Sequence, residues 1–504
     1  MPALTIRAST PGGALLALAL FAATGALAAP ATVITGAQIA DGTGAALRQA
    51  DVRIVGDRIA EVGRVRVRHG DVVVDGRGRV LAPGFIDIHN HSEDGLRTDP
   101  LAESQVSQGI TTLVLGADGD SPWPLAPWLD ERRREPAALN VGVMVGHATL
   151  RRAVMGDDFR RTATPPEAAR IAALVEDGMR QGALGLSSGL EYEVGSYSDT
   201  DEVVAAATAA ARHGGIYMTH VRDESDRSFE SLDEELEIAR RAGVGVEHSH
   251  IKLGTVAVWH RAGEVVARVE AARRAGLDVL ADCYPYLAWH SNLKVMVPDR
   301  QYESPASVDK ALADVGGAAH VRIVRFAAEP ADEGRTLAEL AAARGETPVE
   351  TFIHLVRVGD AAGTEPTVVV ESMTEADLET FYRQPWVMVA SDGGIGARHP
   401  RGAGTFPRVL GRFVRERHWL TLVEAVRKMT SLPAHRLGLR DRGVIRPGAR
   451  ADLVLFDPST VIDRSTYDDP GRLSAGIELV YVNGAPVWKD GAATGRKPGR
   501  VLPD

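Results

Sequence analysis

The stretch Pro83-Gly84-Phe85-Ile86-Asp87-Ile88-His89-Asn90-His91 decides how this chain is read. It predicts a buried strand ending in two histidines. Side chains alternate across a strand, so His89 and His91 share one side and can close on a metal ion from the strand's C-terminal end. The remaining ligands have to come from other elements, and a His-x-His pair alone also fits ordinary core or surface histidines.

The sequence beyond this stretch alternates apolar runs with helical patterns. Strand-like runs fall at 81–88, 111–115, 139–145, 183–187, 216–219, 244–249, 278–282 and 386–391. Small apolar residues recur at helical spacing over 165–180 and 200–212. An α/β chain built this way predicts a (β/α)₈ TIM-like barrel over residues 81–442. Residues 292–378 are too long for one connection and read as an insertion before the last barrel strand. Short alternating strands broken by turns at 33–35, 51–55, 58–62 and 72–74 recur in kind at 448–457 and 478–487. Residues 30–80 and 443–504 therefore predict a small antiparallel β-sandwich domain built from both chain termini.

Composition bounds the function. A chain of 504 residues with a formal net charge of -10 and 5% aromatic residues lacks the basic footprint of a nucleic-acid binder. A small molecule or short peptide is the expected partner. Residues 1–29 combine Arg7, an apolar run and Ala26-Leu27-Ala28-Ala29, the pattern of a cleavable signal peptide, so the protein is expected to be secreted or periplasmic. No later run reaches membrane-spanning length, so no anchor is expected in the mature chain. Cys283 is the only cysteine, which excludes an intrachain disulfide and reads as a packed thiol.

Chemistry in such a barrel collects at the C-terminal ends of the strands. Here those ends carry His89 and His91, Asp118, His147, His220, His250 with Lys252, Asp282 with Tyr284 and Tyr286, and Asp392. Each has a plain explanation singly, as a strand or helix cap. Their joint placement points to a metal centre.

Several segments resemble the N-acyl-D-amino-acid deacylases, or D-aminoacylases, of the metal-dependent amidohydrolase superfamily. They include Gly84-Phe85-Ile86-Asp87-Ile88-His89-Asn90-His91, Gly185-Leu186-Ser187-Ser188-Gly189-Leu190, Thr219-His220-Val221-Arg222-Asp223-Glu224 and Ser249-His250-Ile251-Lys252. Tyr284-Pro285-Tyr286, Ser391-Asp392-Gly393 and His399-Pro400-Arg401 complete the match. The resemblance implies hydrolysis of the amide of an N-acyl-D-amino acid. It implies one tightly held zinc on His220 and His250, and a second, weaker position on His89, His91 and Asp392. Asp392 would also carry protons, and Lys252, Arg401 and Tyr284 would read the substrate carboxylate.

One position departs from the family. Ala117-Asp118 stands where relatives usually place Asn-Cys. A carboxylate can bind or bridge zinc at about 2.0–2.2 Å, and as a harder ligand it shifts preference toward manganese or cobalt. A helix cap that holds no metal is the alternative for Asp118. Glu191, beside Tyr192 where the resemblance implies a substrate pocket, and His290 make that pocket more polar and predict weaker preference for large apolar D-residues.

Three other readings stay open: a peptidase on D-residue linkages, a cyclic-amide hydrolase of the hydantoinase or dihydroorotase type, and an exported binding protein without catalysis. The second usually bridges two metals with a carboxylated lysine on strand 4, where this chain has Ser187 and Ser188.

Overall fold

A computed structural model describes residues 31–504, so the signal peptide read at 1–29 lies outside the described residues. The run 81–88, expected as one strand, is two strands in two sheets. Val80–Pro83 pairs antiparallel with Leu453–Phe456, whereas Phe85–Asp87 pairs parallel with Ile110–Leu115. Gly84 is the break between them. Its N–H donates to Asp452 O at 2.8 Å. A Cβ there would lie 2.2 Å from the Thr111 side chain, so only glycine lets the two sheets meet this closely.

The strand Phe85–Asp87 begins a parallel array. It pairs with Ile110–Leu115, which pairs with Asn140–Val143. The chain continues as Val145–Gly146 into a second parallel sheet of Gly185–Gly189, Ile216–His220, Val246–His248, Val279–Cys283 and Val387–Val389, in that order. Just beyond the strand ends Asp392 N–H donates to His89 O (2.9 Å) and His91 N–H to Gly393 O (2.7 Å), joining the last strand's loop to the first's. Residues of these strands are buried throughout, which is why they read as unbroken apolar runs rather than alternating ones.

The helices between them are specified locally. Pro165–Gln181 starts with a capping box between Thr164 and Glu167 and ends on Gly182 in the left-handed region. Its Gly178 lets the helix sit against Val145, which a Cβ would meet at 2.4 Å. Thr200–Arg212 begins at Asp199, whose side chain accepts from Glu202 N–H.

Segments from both termini form one nine-stranded sheet with its own core, including Ile34, Val52, Ile59, Leu81, Leu453 and Leu455. It was expected to be antiparallel throughout. Two pairings are parallel instead, Thr32–Thr35 with Val72–Asp75 and Gln38–Ile39 with Val80–Leu81. The first strand is long enough to take two later segments end to end along one edge, which hairpin turns alone do not provide.

Between Cys283 and Val387 the chain builds a separate unit. Ala288–Asn292 and Val321–Arg325 flank Thr367–Glu371 antiparallel, and helices Pro305–Asp314 and Pro348–Ala362 pack with this sheet through Leu293, Val308, Phe326, Phe352 and Val368. Among the described residues no helix is long and apolar enough to cross a membrane.

Candidate metal centre

The loops that follow the parallel strands bring six side chains to one place. Asp87, last residue of the first parallel strand, sets their alignment. Its carboxylate accepts from Ser391 N–H (2.8 Å), Ser391 Oγ–H (2.5 Å) and Asn90 Nδ2–H (2.8 Å), tying the loop of Asp392 to that of His89 and His91. Burial pushes the Asp87 carboxyl up to about 6 against these hydrogen bonds.

Asp118 stands at the centre. Its Oδ2 lies 3.4 Å from both His89 Nε2 and His91 Nε2, and its Oδ1 lies 3.6 Å from His250 Nε2. Asp392 Oδ1 is 3.2 Å from His91 Nε2 and 3.6 Å from His89 Nε2. His220 Nδ1 faces His250 Nε2 at 3.0 Å. Three groups of candidate ligands have their donor atoms within 4.8 Å of one another among the described residues: His89, His91, Asp118 and Asp392; Asp118, His220 and His250; and Glu191, His220 and Glu224; the first two share Asp118. Asp118, His250 and Asp392 all hold positive φ, at 54°, 36° and 47°, a conformation that costs non-glycine residues of order 1–3 kcal/mol and gathers at functional sites.

These residues suit a cation. His89 Nε2 and Asp118 Oδ1 are buried and have no hydrogen-bond partner, which a bound metal would supply. Burial should raise the Asp118 and Asp392 carboxyls. His89 and His250 nevertheless hold Asp118 well below the usual carboxylate range, and Arg401 with His250 does the same for Asp392. The His91 imidazole is correspondingly pushed up to about 10, its hydrogen bonds to the Asp118 and Asp392 carboxylates outweighing its desolvation.

The opposite nitrogens of three histidines meet carboxylates. His89 Nδ1 faces Asp282 Oδ2 at 3.4 Å, His220 Nε2 faces Glu191 Oε2 at 2.8 Å, and His250 Nδ1 lies 3.0 Å from Glu224 Oε1. Metal-binding histidines are held in this way, since the outer carboxylate fixes tautomer and ring orientation. Sequence reasoning gave Glu224 no role and counted Asp282 among the converging strand ends without a partner. The available signal was Glu224 one helical turn's spacing after His220, and Asp282 among the polar strand ends.

Other predicted residues fall as follows. His147 does not join the centre. It opens the helix His147–Met155 and bonds Glu202 at 2.9 Å, where Arg151 also pairs, because a strand-end position is equally the start of the next helix. Lys252 Nζ is paired with Glu224 at 2.6 Å. Arg401 Nη1 lies 2.7 Å from Asp392 Oδ2, with its guanidinium 4.7 Å above the Tyr284 ring. Arg401 Nε, the Tyr284 hydroxyl and His290 Nε2 are buried without hydrogen-bond partners. Burial, then Arg401, lowers the His290 imidazole to about 4. Tyr192 packs its ring 4.5 Å from that of His220. Cys283 is a buried packed thiol, raised by desolvation.

A cavity of about 530 Å³ opens onto this centre. His91, Asp118, His220, His250 and Asp392 line its metal end, with Lys252, Arg401, His290, Glu191 and Tyr192 around it. Trp289, Val295, Met296, Ala311 and Val315, all from the unit inserted before the last parallel strand, supply an apolar wall.

Residues 72–488 match the family described as "Amidohydrolase family". The chain is 37% identical to a D-aminoacylase of Alcaligenes xylosoxydans xylosoxydans over 93% of this chain and 97% of that enzyme. It is 36% identical to an N-acyl-D-glutamate deacylase of the same organism over 93% and 96%. It also superimposes, with a TM-score of 0.84 and 33% identity over 94% of this chain and 99% of the other, on N-acyl-D-glutamate deacylase from Bordetella bronchiseptica complexed with zinc and a phosphonate inhibitor that mimics the tetrahedral intermediate. With matches of this length at both levels, the chain belongs to the amidohydrolase family.

Proposed function

We propose that this protein is a metal-dependent N-acyl-D-amino-acid deacylase, hydrolysing the amide bond to release a carboxylate and a free D-amino acid. The observation that carries this reading is the pair of ligand sets sharing Asp118, with Asp392 poised between them and Arg401. In it His220, His250 and Asp118 would hold the tighter zinc, and His89, His91, Asp118 and Asp392 the weaker one. Asp118 offers one oxygen to each set, which supports a bridging carboxylate in place of a thiolate, and its hardness favours manganese and cobalt as substitutes.

A divalent cation bound there supplies Lewis acidity, polarising the scissile carbonyl and making water nucleophilic near neutral pH. The chain's own residues do the rest. Asp392, whose Oδ1 lies beside His91 and His89 at the metal end of the cavity, is placed to take the attacking water's proton and to pass it to the leaving amine nitrogen. Arg401 Nε, the Tyr284 hydroxyl and His290 Nε2 are unused polar atoms beside it, and together they suit the substrate carboxylate. Lys252 acts through Glu224, whose charge it balances behind His250. Glu191 lines the cavity, yet its contact with His220 makes it a support of the metal ligand more than a reader of the substrate side chain. Tyr192 closes the wall over His220.

The parallel strands, joined end to start at 389–393, support a closed (β/α)₈ barrel over 81–442, with the terminal sheet of 30–80 and 443–504 as its accompanying sandwich domain. Export directed by residues 1–29 belongs to the same reading, and N-terminal sequencing of the mature chain tests it. A cyclic-amide hydrolase is disfavoured by Ser187 and Ser188, whose hydroxyls bond Gly116 O and the Tyr217 and Thr219 hydroxyls and offer no bridging ligand. Paired assays on N-acetyl-D- and N-acetyl-L-amino acids with zinc, manganese and cobalt test the function. Turnover of D-substrates is expected, and equal turnover of the L-series would reject it.

A further inference from the structure

A second cavity, of about 690 Å³, adjoins the one that opens onto the metal centre, and the chemistry described so far leaves it unused. Four residues line both: Glu191, Tyr192, Asn292 and Val295. The first two follow the strand Gly185–Gly189, and the other two belong to the inserted unit. Arg401 follows the strand Val387–Val389. Three strands separate Val387–Val389 from Gly185–Gly189 in their shared sheet: Val279–Cys283, Val246–His248 and Ile216–His220. Round the other side the chain interposes Phe85–Asp87, Ile110–Leu115 and Asn140–Val143 with its continuation Val145–Gly146. The Glu191–Tyr192 loop therefore faces Arg401 across the mouth of the array, with the metal ligands between. A substrate with its carboxylate on Arg401 and its scissile carbonyl at the metal extends its acyl group toward Glu191 and Tyr192, and so toward the second cavity. Its side chain branches off earlier, beside the apolar wall of Trp289, Val295 and Met296.

The second cavity differs in kind from the first. Its lining is polar, and acidic side chains outnumber basic ones by seven to four, so it favours a ligand carrying positive charge. Among the bases, Arg222 is bound to Glu234 at 2.7 Å, Lys294 to Asp360 at 2.5 Å, and Arg300 lies 4.6 Å over the Tyr197 ring. Arg227 keeps N–H donors for a carbonyl oxygen. Two of the acids are uncommitted. Asp223 accepts from the backbone N–H groups of Ser225 (2.8 Å) and Arg227 (3.2 Å), and Glu230, exposed in the first turn of the helix Ser228–Ala242, has no ion-pair partner among the described residues. The volume suits a ligand far larger than an acetyl group. A chain of amides ending in an ammonium matches these donors and acceptors, whereas an alkyl chain would leave them unpaired.

We propose that this second cavity is the acyl-side subsite, and that it takes an aminoacyl or short peptidyl group whose terminal ammonium meets the Asp223 and Glu230 carboxylates. The reaction is the same hydrolysis: the C–N bond to the D-residue breaks, the acyl carbon gains the oxygen of water and the leaving nitrogen gains its proton. This rests on the deacylase reading, and the test separates the two.

Wild-type kcat/KM is measured on one D-residue carrying in turn an acetyl group, an octanoyl group, L-Ala-L-Ala with a free amine, and N-acetyl-L-Ala-L-Ala. The free-amine peptide should exceed the acetyl substrate by on the order of ten-fold, with the octanoyl compound no better than acetyl. Glu230→Lys, a change at an exposed position, should lower the value for the free-amine peptide about five-fold and leave the acetyl and capped substrates unchanged. Turnover of the acetyl substrate with no gain from the free-amine peptide would overturn this inference alone, as would equal effects of Glu230→Lys on the free and capped peptides. A preference for octanoyl would move the acyl group to the cavity lined by Trp123 and Trp128 beside His91 and overturn it too. No turnover of any of the four would overturn the deacylase reading itself, and this inference with it.

Discussion

His220 and His250 are buried, and each has a carboxylate behind the nitrogen that faces away from Asp118. His91 presents the same imidazole to the same aspartate with 38% of its side chain exposed. The outer set adds the carboxylate of Asp392, and its His89 is as buried as the inner histidines, with Asp282 behind it. The difference in the shell lies at His91, and a looser ring there would make the outer metal the more exchangeable one.

The comparison can be pressed from its strongest consequence downward. Asp392 touches both the outer histidines and Arg401, so Asp392→Asn should cut turnover of an N-acetyl-D-amino acid by roughly 10²–10⁴-fold while the melting temperature stays near wild type. Near-normal turnover would remove Asp392 from the proton path. Glu191→Gln leaves His220 in place but weakens the anion behind it, and zinc affinity by competitive titration should fall about 10–100-fold. If only the choice among D-side chains changes, Glu191 is a substrate contact instead.

His290 shows what happens to a histidine with no carboxylate behind it. Burial and Arg401 lower its imidazole to about 4, below the ordinary 6.5. The unfolded chain then binds more protons than the folded one between these values, so His290 costs the fold stability as pH drops from 6.5 to 4 and costs nothing above 6.5. Chemical denaturation of His290→Gln should lack that loss, a difference of about 3 kcal/mol at pH 4 that vanishes at pH 7. A constant difference across pH would contradict it. His91→Ala should have the smallest effect on the inner zinc, about two-fold or less in its affinity, while removing the weaker position. A loss matching that of His220→Ala would erase the distinction drawn between the two sets.

The convergence of His89, His91, Asp118, His220, His250 and Asp392 was legible because a strand's end is marked locally, by an apolar run giving way to a polar residue. The carboxylates behind the histidines were not. Glu191 and Asp282 meet His220 and His89 across different loops, and no local pattern announces such a pairing. Gly84 escaped for another reason: an apolar run on both sides of Pro83-Gly84 looks continuous, although the chain changes sheet there. His147 misled because its true partner, Glu202, lies on a helix beyond the next strand.

The most direct measurement is hydrolysis of N-acetyl-D-amino acids by the chelator-stripped protein as zinc is returned in measured equivalents, followed by dialysis. Activity should be absent without metal and return with the first equivalent, which dialysis should not remove from wild type or His91→Ala but should remove from His220→Ala. Full activity of the stripped chain, or recovery that depends on His91, would contradict the assignment of the working metal to Asp118, His220 and His250.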